Sequence, residues 1–159
     1  MSSINAFVGH SFTEEDEVLV GMFLDYFDTI KDMNISFDWD HAKKAQAEVL
    51  SQKVIEKMKN ANTFIGICTK KERVIKNIEL KKCFLSEINY KINNTNYDWK
   101  TSDWIIQEIG CAVGRGMKII LLIEEGQRKP GGLQGNLEYI TFTRKNLQKA
   151  FKQILEMIN

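Results

Sequence analysis

Asn62-Thr63-Phe64-Ile65-Gly66-Ile67-Cys68 is apolar at consecutive positions rather than at alternate ones. A strand with one wet face alternates, so this run reads as a central strand buried on both sides. Two neighbours in the sequence share its character: Ile4-Asn5-Ala6-Phe7-Val8-Gly9 and Lys118-Ile119-Ile120-Leu121-Leu122-Ile123. Strands of this kind belong to a parallel sheet, and parallel strands need helical crossovers between them.

The intervening segments supply those helices. Thr13 followed by Glu14, Glu15 and Asp16 is a capping residue with acids in the first turn, and predicts a helix to about Lys31. Val18, Met22, Phe23, Tyr26, Phe27 and Ile30 are expected on its inner side. A second helix spans about Gln46 to Asn60, on the helical pattern of Val49, Leu50, Val54, Ile55 and Met58. A third begins at Ser102-Asp103 and runs to about Arg115, with Gly114 and Gly116 as stop signals. Thr143 to Asn159 closes the chain as an amphipathic helix with Leu147, Phe151, Ile154, Leu155 and Ile158 inward.

Two shorter strands complete the set: Asn34-Ile35-Ser36-Phe37, and the alternating edge strand Glu138-Tyr139-Ile140-Thr141-Phe142. Asp38-Trp39-Asp40-His41 reads as a polar loop after the former, and Gln127 to Asn136, which contains the only proline, as a surface loop. Five strands alternating with helices predict an α/β fold, a flavodoxin-like doubly wound five-stranded parallel sheet. Residues 70–100 stand outside this rhythm and read as an insertion in a single domain of residues 1–159. Ile78 to Ile88 is compatible with a short helix there, and Asn93-Asn94-Thr95-Asn96 with a loop. Ligands of such folds bind beyond the carboxyl ends of the strands. That gathers Gly9–Thr13, Asp38–Lys43, Cys68–Lys71 and the helix start at Ser102.

Composition narrows the function. The chain has 159 residues, 43% hydrophobic and 27% charged, which suits one folded domain rather than a disordered chain. A net charge of +1 gives no basic field for nucleic acid. Residues 1–40 nevertheless carry nine acids and one lysine, a charge of −8, against +9 for the rest, which favours head-to-tail association. The three cysteines, Cys68, Cys83 and Cys111, read as reduced thiols of a cytoplasmic protein. No signal peptide is expected, and the sequence holds no membrane-length apolar run. His10 and His41 lack partners at metal spacing, so no metal is expected. The chain has no GxGxxG after a strand, no GxxxxGK[ST] and no GxSxG, so no dinucleotide cofactor, P-loop or serine-hydrolase chemistry is expected.

Trp104-Ile105-Ile106-Gln107-Glu108 is what remains. The i, i+4 spacing puts Trp104 and Glu108 on one helix face, while Ile105, Ile106, Ile109, Ala112 and Val113 take the core side. A carboxylate beside an indole at the rim of the cleft is suited to binding sugar hydroxyls and stabilising an oxocarbenium ion. The same spacing also fits a solvent-facing glutamate beside a rim tryptophan.

Here the sequence resembles a known family. Phe7-Val8-Gly9-His10-Ser11 with Asp16, the stretch Ser51 to Cys68, and Ser102-Asp103-Trp104 through Glu108 resemble, in order and spacing, Toll/interleukin-1 receptor (TIR) domains of the bacterial NAD⁺-cleaving type. The resemblance covers most of the chain except residues 70–100. It implies a TIR fold and an NAD⁺ glycohydrolase or cyclase that breaks the nicotinamide–ribose bond, with NAD⁺ as substrate and no cofactor. On it Glu108 aligns with the catalytic glutamate. Phe7, Gly9, His10 and Ser11 would line the phosphate and adenosine side, Trp104 would wall the pocket, and Asp38 and Trp39 would lie on the second loop. Trp39 would stack there on a base, on a neighbouring subunit or on its own domain.

The resemblance further implies self-association into an oligomer or filament, a fused or separate sensor domain, and a role in anti-phage defence. The basic run Lys70, Lys71, Arg73, Lys76, Lys81 and Lys82 is expected to be a solvated face, or to meet nucleotide phosphates or the acidic Glu14–Glu17 of a neighbouring subunit. Two other classes fit the same residues: a non-catalytic TIR signalling or scaffold module, and a nucleoside or nucleotide N-glycosidase of related fold.

Overall fold

The computed structural model describes residues 3–33, 36–42, 47–75, 81–82, 90–91, 97–130 and 139–158. In chain order the elements are β1 (Ile4–Gly9), α1 (Glu14–Met33), β2 (Phe37–His41), α2 (Ala47–Lys59), β3 (Thr63–Cys68), β4 (Glu72–Val74), β5 (Lys81–Lys82), β6 (Tyr90–Lys91), β7 (Asp98–Lys100), α3 (Asp103–Gly114), β8 (Lys118–Glu124), β9 (Tyr139–Phe142) and α4 (Gln148–Ile158).

Five strands form one sheet in the order β2-β1-β3-β8-β9. Every pairing in it is parallel. β3 is buried at all six positions, as its unbroken apolar run requires. The chain steps from β1 outward to β2 and then back across β1 to β3. Strand order therefore reverses between β1 and β3, where Phe7 pairs with Phe64 and Gly9 with Gly66.

Alternation along each strand divides the core into two layers. Ala6, Val8, Ile65, Ile67, Ile120 and Leu122 face α1 and α4, where Phe23, Phe27 and Ile154 meet them. Phe7, Phe64, Cys68, Leu121 and Ile123 face α2 and α3, where Met58, Ile105 and Ile109 meet them. Ser102 caps α3 as expected, its hydroxyl oxygen accepting the Ile105 N–H at 3.4 Å.

Three expectations are corrected here. The second strand lies at Phe37–His41, so Asp38, Trp39 and His41 are strand residues and not loop residues. Phe37-Asp38-Trp39-Asp40-His41 is an alternating pattern, and pairing with Ile4–Val8 of β1 draws it into the sheet edge. On α1, Val18 is 78% exposed and Met22 is also exposed. Phe23, Phe27 and Ile30 are buried as expected, and Asp16, Leu19 and Val20 complete the inward stripe in place of Val18 and Met22. Ile55 and Leu155 are likewise exposed.

Within residues 70–100, β4 pairs antiparallel with β7 and β5 with β6. Lys81–Lys82 is therefore strand rather than helix. The rest of the expected helix at Ile78–Ile88, the Asn93–Asn96 loop and the second half of the Gln127–Asn136 loop lie outside the described residues. No helix among the described residues is long and apolar enough to cross a membrane.

Candidate functional site

α3 crosses β3 with Ile105, Ile109 and Ala112 buried against the sheet. That orientation turns Trp104, Gln107, Glu108 and Cys111, spaced i, i+3, i+4, i+7, toward α2. They line, with Val54 and Ile55 of α2, a cavity of about 190 Å³. The Trp104 Nε1–H donates to Glu108 Oε1 at 2.7 Å, so the expected i, i+4 pair is a direct hydrogen bond.

Glu108 is only 5% exposed, which places it deeper than the rim position expected from its spacing. Its Oε2 is buried and has no hydrogen-bond partner among the described residues. A Cβ built on Gly9 would collide with that oxygen, and would stand 2.8 and 2.9 Å from two Phe64 ring carbons. The carboxyl thus lies over the backbone of Gly9, at the carboxyl end of β1 beside the switch point.

Burial pushes the Glu108 carboxyl up to about 8, and the Trp104 N–H opposes this only in part. At neutral pH the group is mostly protonated. Since Oε1 accepts the indole N–H, the proton belongs on Oε2. Cys68, at the end of β3, is buried, and burial together with the Glu108 charge pushes its thiol up to about 12. It is a core thiol and not a nucleophile.

The other expected site residues divide. Gly9 abuts Glu108. His10 and Ser11 do not join it: they line a separate cavity of about 300 Å³ along α1 with Phe12, Glu14, Glu17 and Leu24. His10 is nearly buried. Its Nδ1 lies 2.9 Å from the Ser11 carbonyl, which can only accept, so Nδ1 carries a proton. Burial lowers the His10 pKa, favouring the neutral ring. Its Nε2 then accepts from His41 Nδ1–H at 2.8 Å. Ser11 Oγ is engaged by Thr13, at 3.0 Å from its hydroxyl and 3.2 Å from its N–H.

Phe7 and Asp38 are corrections, and Trp39 takes the last of its three expected roles, packing on its own domain. Phe7 is 1% exposed and stacks on Phe64 with centroids 6.3 Å apart, so it presents no surface to a ligand. Trp39 packs on Phe27 at 5.8 Å and donates its indole N–H to Asp28 Oδ1 at 3.1 Å. Asp38 pairs with Lys31 at 2.6 Å. Both are held by α1 of their own chain.

A buried charge network at the same sheet edge was not foreseen. Asp16 is fully buried. Its Oδ2 accepts from Thr69 at 2.7 Å and Lys71 at 2.5 Å, and its Oδ1 from Arg144 at 2.7 Å. Burial alone would raise the Asp16 pKa; these donors outweigh it and hold the carboxyl below its ordinary value. Arg144 also forks onto Glu124, at 2.9 and 3.1 Å, and the Lys70 N–H donates to Glu124 Oε2 at 2.9 Å.

The contact expected between the basic run and the acidic helix of a neighbour is therefore made by Lys71 inside one chain. Arg73 is also engaged, over the rings of Tyr97 and Trp99 at 4.7 and 4.8 Å. Asp16 carried a signal, since it continues the inward stripe of Leu19, Val20 and Phe23. Glu124 and Arg144 carried none.

Among the described residues no group of three His, Cys, Asp or Glu side chains is placed to hold a metal ion. No family model matches the chain. No curated protein sequence matches it either. Among solved structures it is similar to the Clostridium botulinum CMP N-glycosidase BcmB, with a TM-score of 0.56 over 96% of this chain and 98% of that one, at 14% identity. Agreement over nearly the whole of both chains at so low an identity speaks to architecture. The chain is an α/β protein whose five-stranded parallel sheet is of the flavodoxin-like doubly wound type, a fold related to that of the N-glycosidase.

Proposed function

We propose that this protein is an N-glycosidase acting on a nucleotide, with Glu108 as the acid that breaks the bond between the base and sugar C1′. The observation that carries this reading is the Glu108 carboxyl: buried, bonded through Oε1 to Trp104, and with Oε2 against Gly9 at the sheet's switch point and without a partner among the described residues. The fold related to a CMP N-glycosidase supports it.

The chemistry suits a neutral leaving group. A pyrimidine or purine leaves as a poor anion unless it is protonated, and a carboxyl that stays protonated near pH 7 has a proton to give. As the C1′–N bond breaks, the Oε2 proton passes to the base. The carboxylate left behind faces the oxocarbenium ion and stabilises it. Water then adds to C1′ and returns its proton to the carboxylate. The products are the free base and the sugar phosphate.

NAD⁺ cleavage is the second reading, favoured by the Ser102-capped helix that carries the Trp104–Glu108 pair. Nicotinamide leaves from a cationic ring and needs no acid, so that reaction calls for an ionised Glu108. Incubation of concentrated protein with CMP, UMP, AMP, GMP and NAD⁺, followed by mass-resolved chromatography, separates the readings. Base release from a monophosphate, lowered by roughly 10²–10³-fold in Glu108→Gln, is the expected result. Cleavage of NAD⁺ alone would select the second reading. Turnover of none would leave a binding or scaffold module.

A further inference from the structure

Val18, Met22, Met33, Ile55 and Leu155 are the large apolar side chains left exposed among the described residues. One such side chain on a surface calls for no explanation; a cluster does. Ile55 is on α2. The other four belong to α1 and α4, which cover one face of the sheet together. Tyr26 joins these two helices: its ring stacks on Phe151 with centroids 4.2 Å apart, and its hydroxyl donates to the Phe151 carbonyl at 2.7 Å. Val18, Met22 and Tyr26 follow one another at i, i+4 along α1. Tyr26, Met33, Leu155 and Met157 then line a groove that both helices share. The exposed apolar stripe of α1 thus runs into its seam with α4.

Charge divides across that seam. On α1, Glu14, Glu15, Glu17, Asp25, Asp28 and Asp32 are exposed against one base, Lys31, which pairs with Asp38. Val18, Asp25 and Asp32 recur every seven residues and so share one exposed face. On α4, Lys149 and Lys152 are exposed, with Lys145 exposed just before the helix. The one acid of α4, Glu156, lies 3.8 Å from Lys152. The surface is therefore acidic along one helix, basic along its neighbour and apolar between them.

Both helices end at the amino edge of the sheet, since Met33 and Met157 line the groove with Ile4 and Lys118, the first residues of β1 and β8. They run in the same direction. A half-turn about an axis parallel to both sets α1 of one copy over α4 of another, acid over base, at two equivalent places. A half-turn about an axis across them would set acid over acid.

We infer that the α1–α4 face is a two-fold interface between copies of this chain, covering Val18, Met22, Met33 and Leu155 and placing Asp25 and Asp32 of one copy opposite Lys149 and Lys152 of the other. Glu108 lies on α3, which packs on the opposite face of the sheet, so the contact leaves that site uncovered. The inference is independent of the N-glycosidase reading.

Sedimentation velocity of the full chain at low salt, over a dilution series, tests it. A dimer that dissociates on dilution is expected. Asp25→Lys with Asp32→Lys, and separately Lys149→Glu with Lys152→Glu, should each raise the dimer Kd by about tenfold or more, because like charges then meet at both equivalent places. An equimolar mixture of the two double variants should form a heterodimer with Kd near that of the wild type, since base again meets acid on both sides. All four side chains are exposed, so Tm should stay close to that of the wild type. Should either double variant not fold, Met22→Ser, which removes apolar contact alone, should raise Kd in its place. A monomer at every concentration would overturn the inference, as would a dimer whose Kd the charge reversals leave unchanged, or a mixture that stays monomeric.

Discussion

The Oε2 atom of Glu108 occupies the space in which any side chain on Gly9 would stand. This one contact ties the end of β1 to the middle of α3. It also gives Gly9 a reason to be glycine that has nothing to do with an unusual backbone angle, since the positive-φ glycines among the described residues are Gly116 and Gly126.

Gly9→Ala should therefore displace the carboxyl as well as strain the fold. Overpacking of this kind typically costs about 1–3 kcal/mol. At this chain length each kcal/mol lowers Tm by roughly 2–4 °C. The added Cβ also meets the Phe64 ring. Removing the Glu108 side chain in a Gly9→Ala, Glu108→Ala double variant should thus recover only part of the lost Tm. Calorimetry on the two single variants and the double variant checks this.

Glu108→Gln should lower base release by roughly 10²–10³-fold, the effect of removing one preorganised electrostatic group. It should also change the dependence of stability on pH. The Glu108 carboxyl titrates at about 8 in the folded chain against 4.5 ordinarily. Between those values the folded state binds more proton than the unfolded state, so stability falls as pH rises from about 4.5 to 8 and levels off above. Glutamine carries no such proton, so the variant should lose this decline. Urea melts at pH 5 and pH 8 should differ more for the wild type than for Glu108→Gln.

Asp16→Asn should act on the opposite limb. The Asp16 carboxyl is held below 3.8 by donors from Lys71, Thr69 and Arg144 against the cost of burial. Its contribution is present in full above pH 3.8 and is lost as pH falls through the lowered value. Replacing a buried charged acceptor that has several donors should cost about 1–3 kcal/mol at pH 7. The variant should also show a flatter acid limb in melts followed from pH 5 down to pH 2.

Trp39→Ala tests the placement of the second strand. A loop tryptophan that served a neighbouring subunit would affect assembly and leave Tm alone. A strand tryptophan packed on Phe27 and bonded to Asp28 should do the reverse. Loss of that partly buried ring should lower stability by about 1–3 kcal/mol. Particle mass in light scattering should be unchanged at matched concentration.

Much of the architecture was legible before any coordinates. Asn62–Cys68, Ile4–Gly9 and Lys118–Ile123 are apolar in the unbroken way that only a doubly covered strand requires, and the helical stripes between them leave a parallel sheet as the consistent arrangement. The Trp104–Glu108 pairing was legible too, because i, i+4 neighbours on a helix meet whatever the helix packs against.

Local pattern failed where a long-range partner decides the outcome. Asp38 and Trp39 read as loop because they are polar and aromatic in a short stretch; pairing with Ile4–Val8 makes them strand. Val18 and Met22 read as core because they are apolar, but α1 has one inward stripe and the sheet chose Leu19, Val20 and Phe23. The depth of Glu108, and with it the raised proton affinity, depends on Gly9 and Phe64 of the sheet face that α3 covers. Likewise the burial of Asp16 depends on Arg144, 128 residues away. Periodicity in a sequence records which face of an element is apolar; it does not record which other element covers that face, and it is that covering which removes water and sets the charge state of the groups beneath.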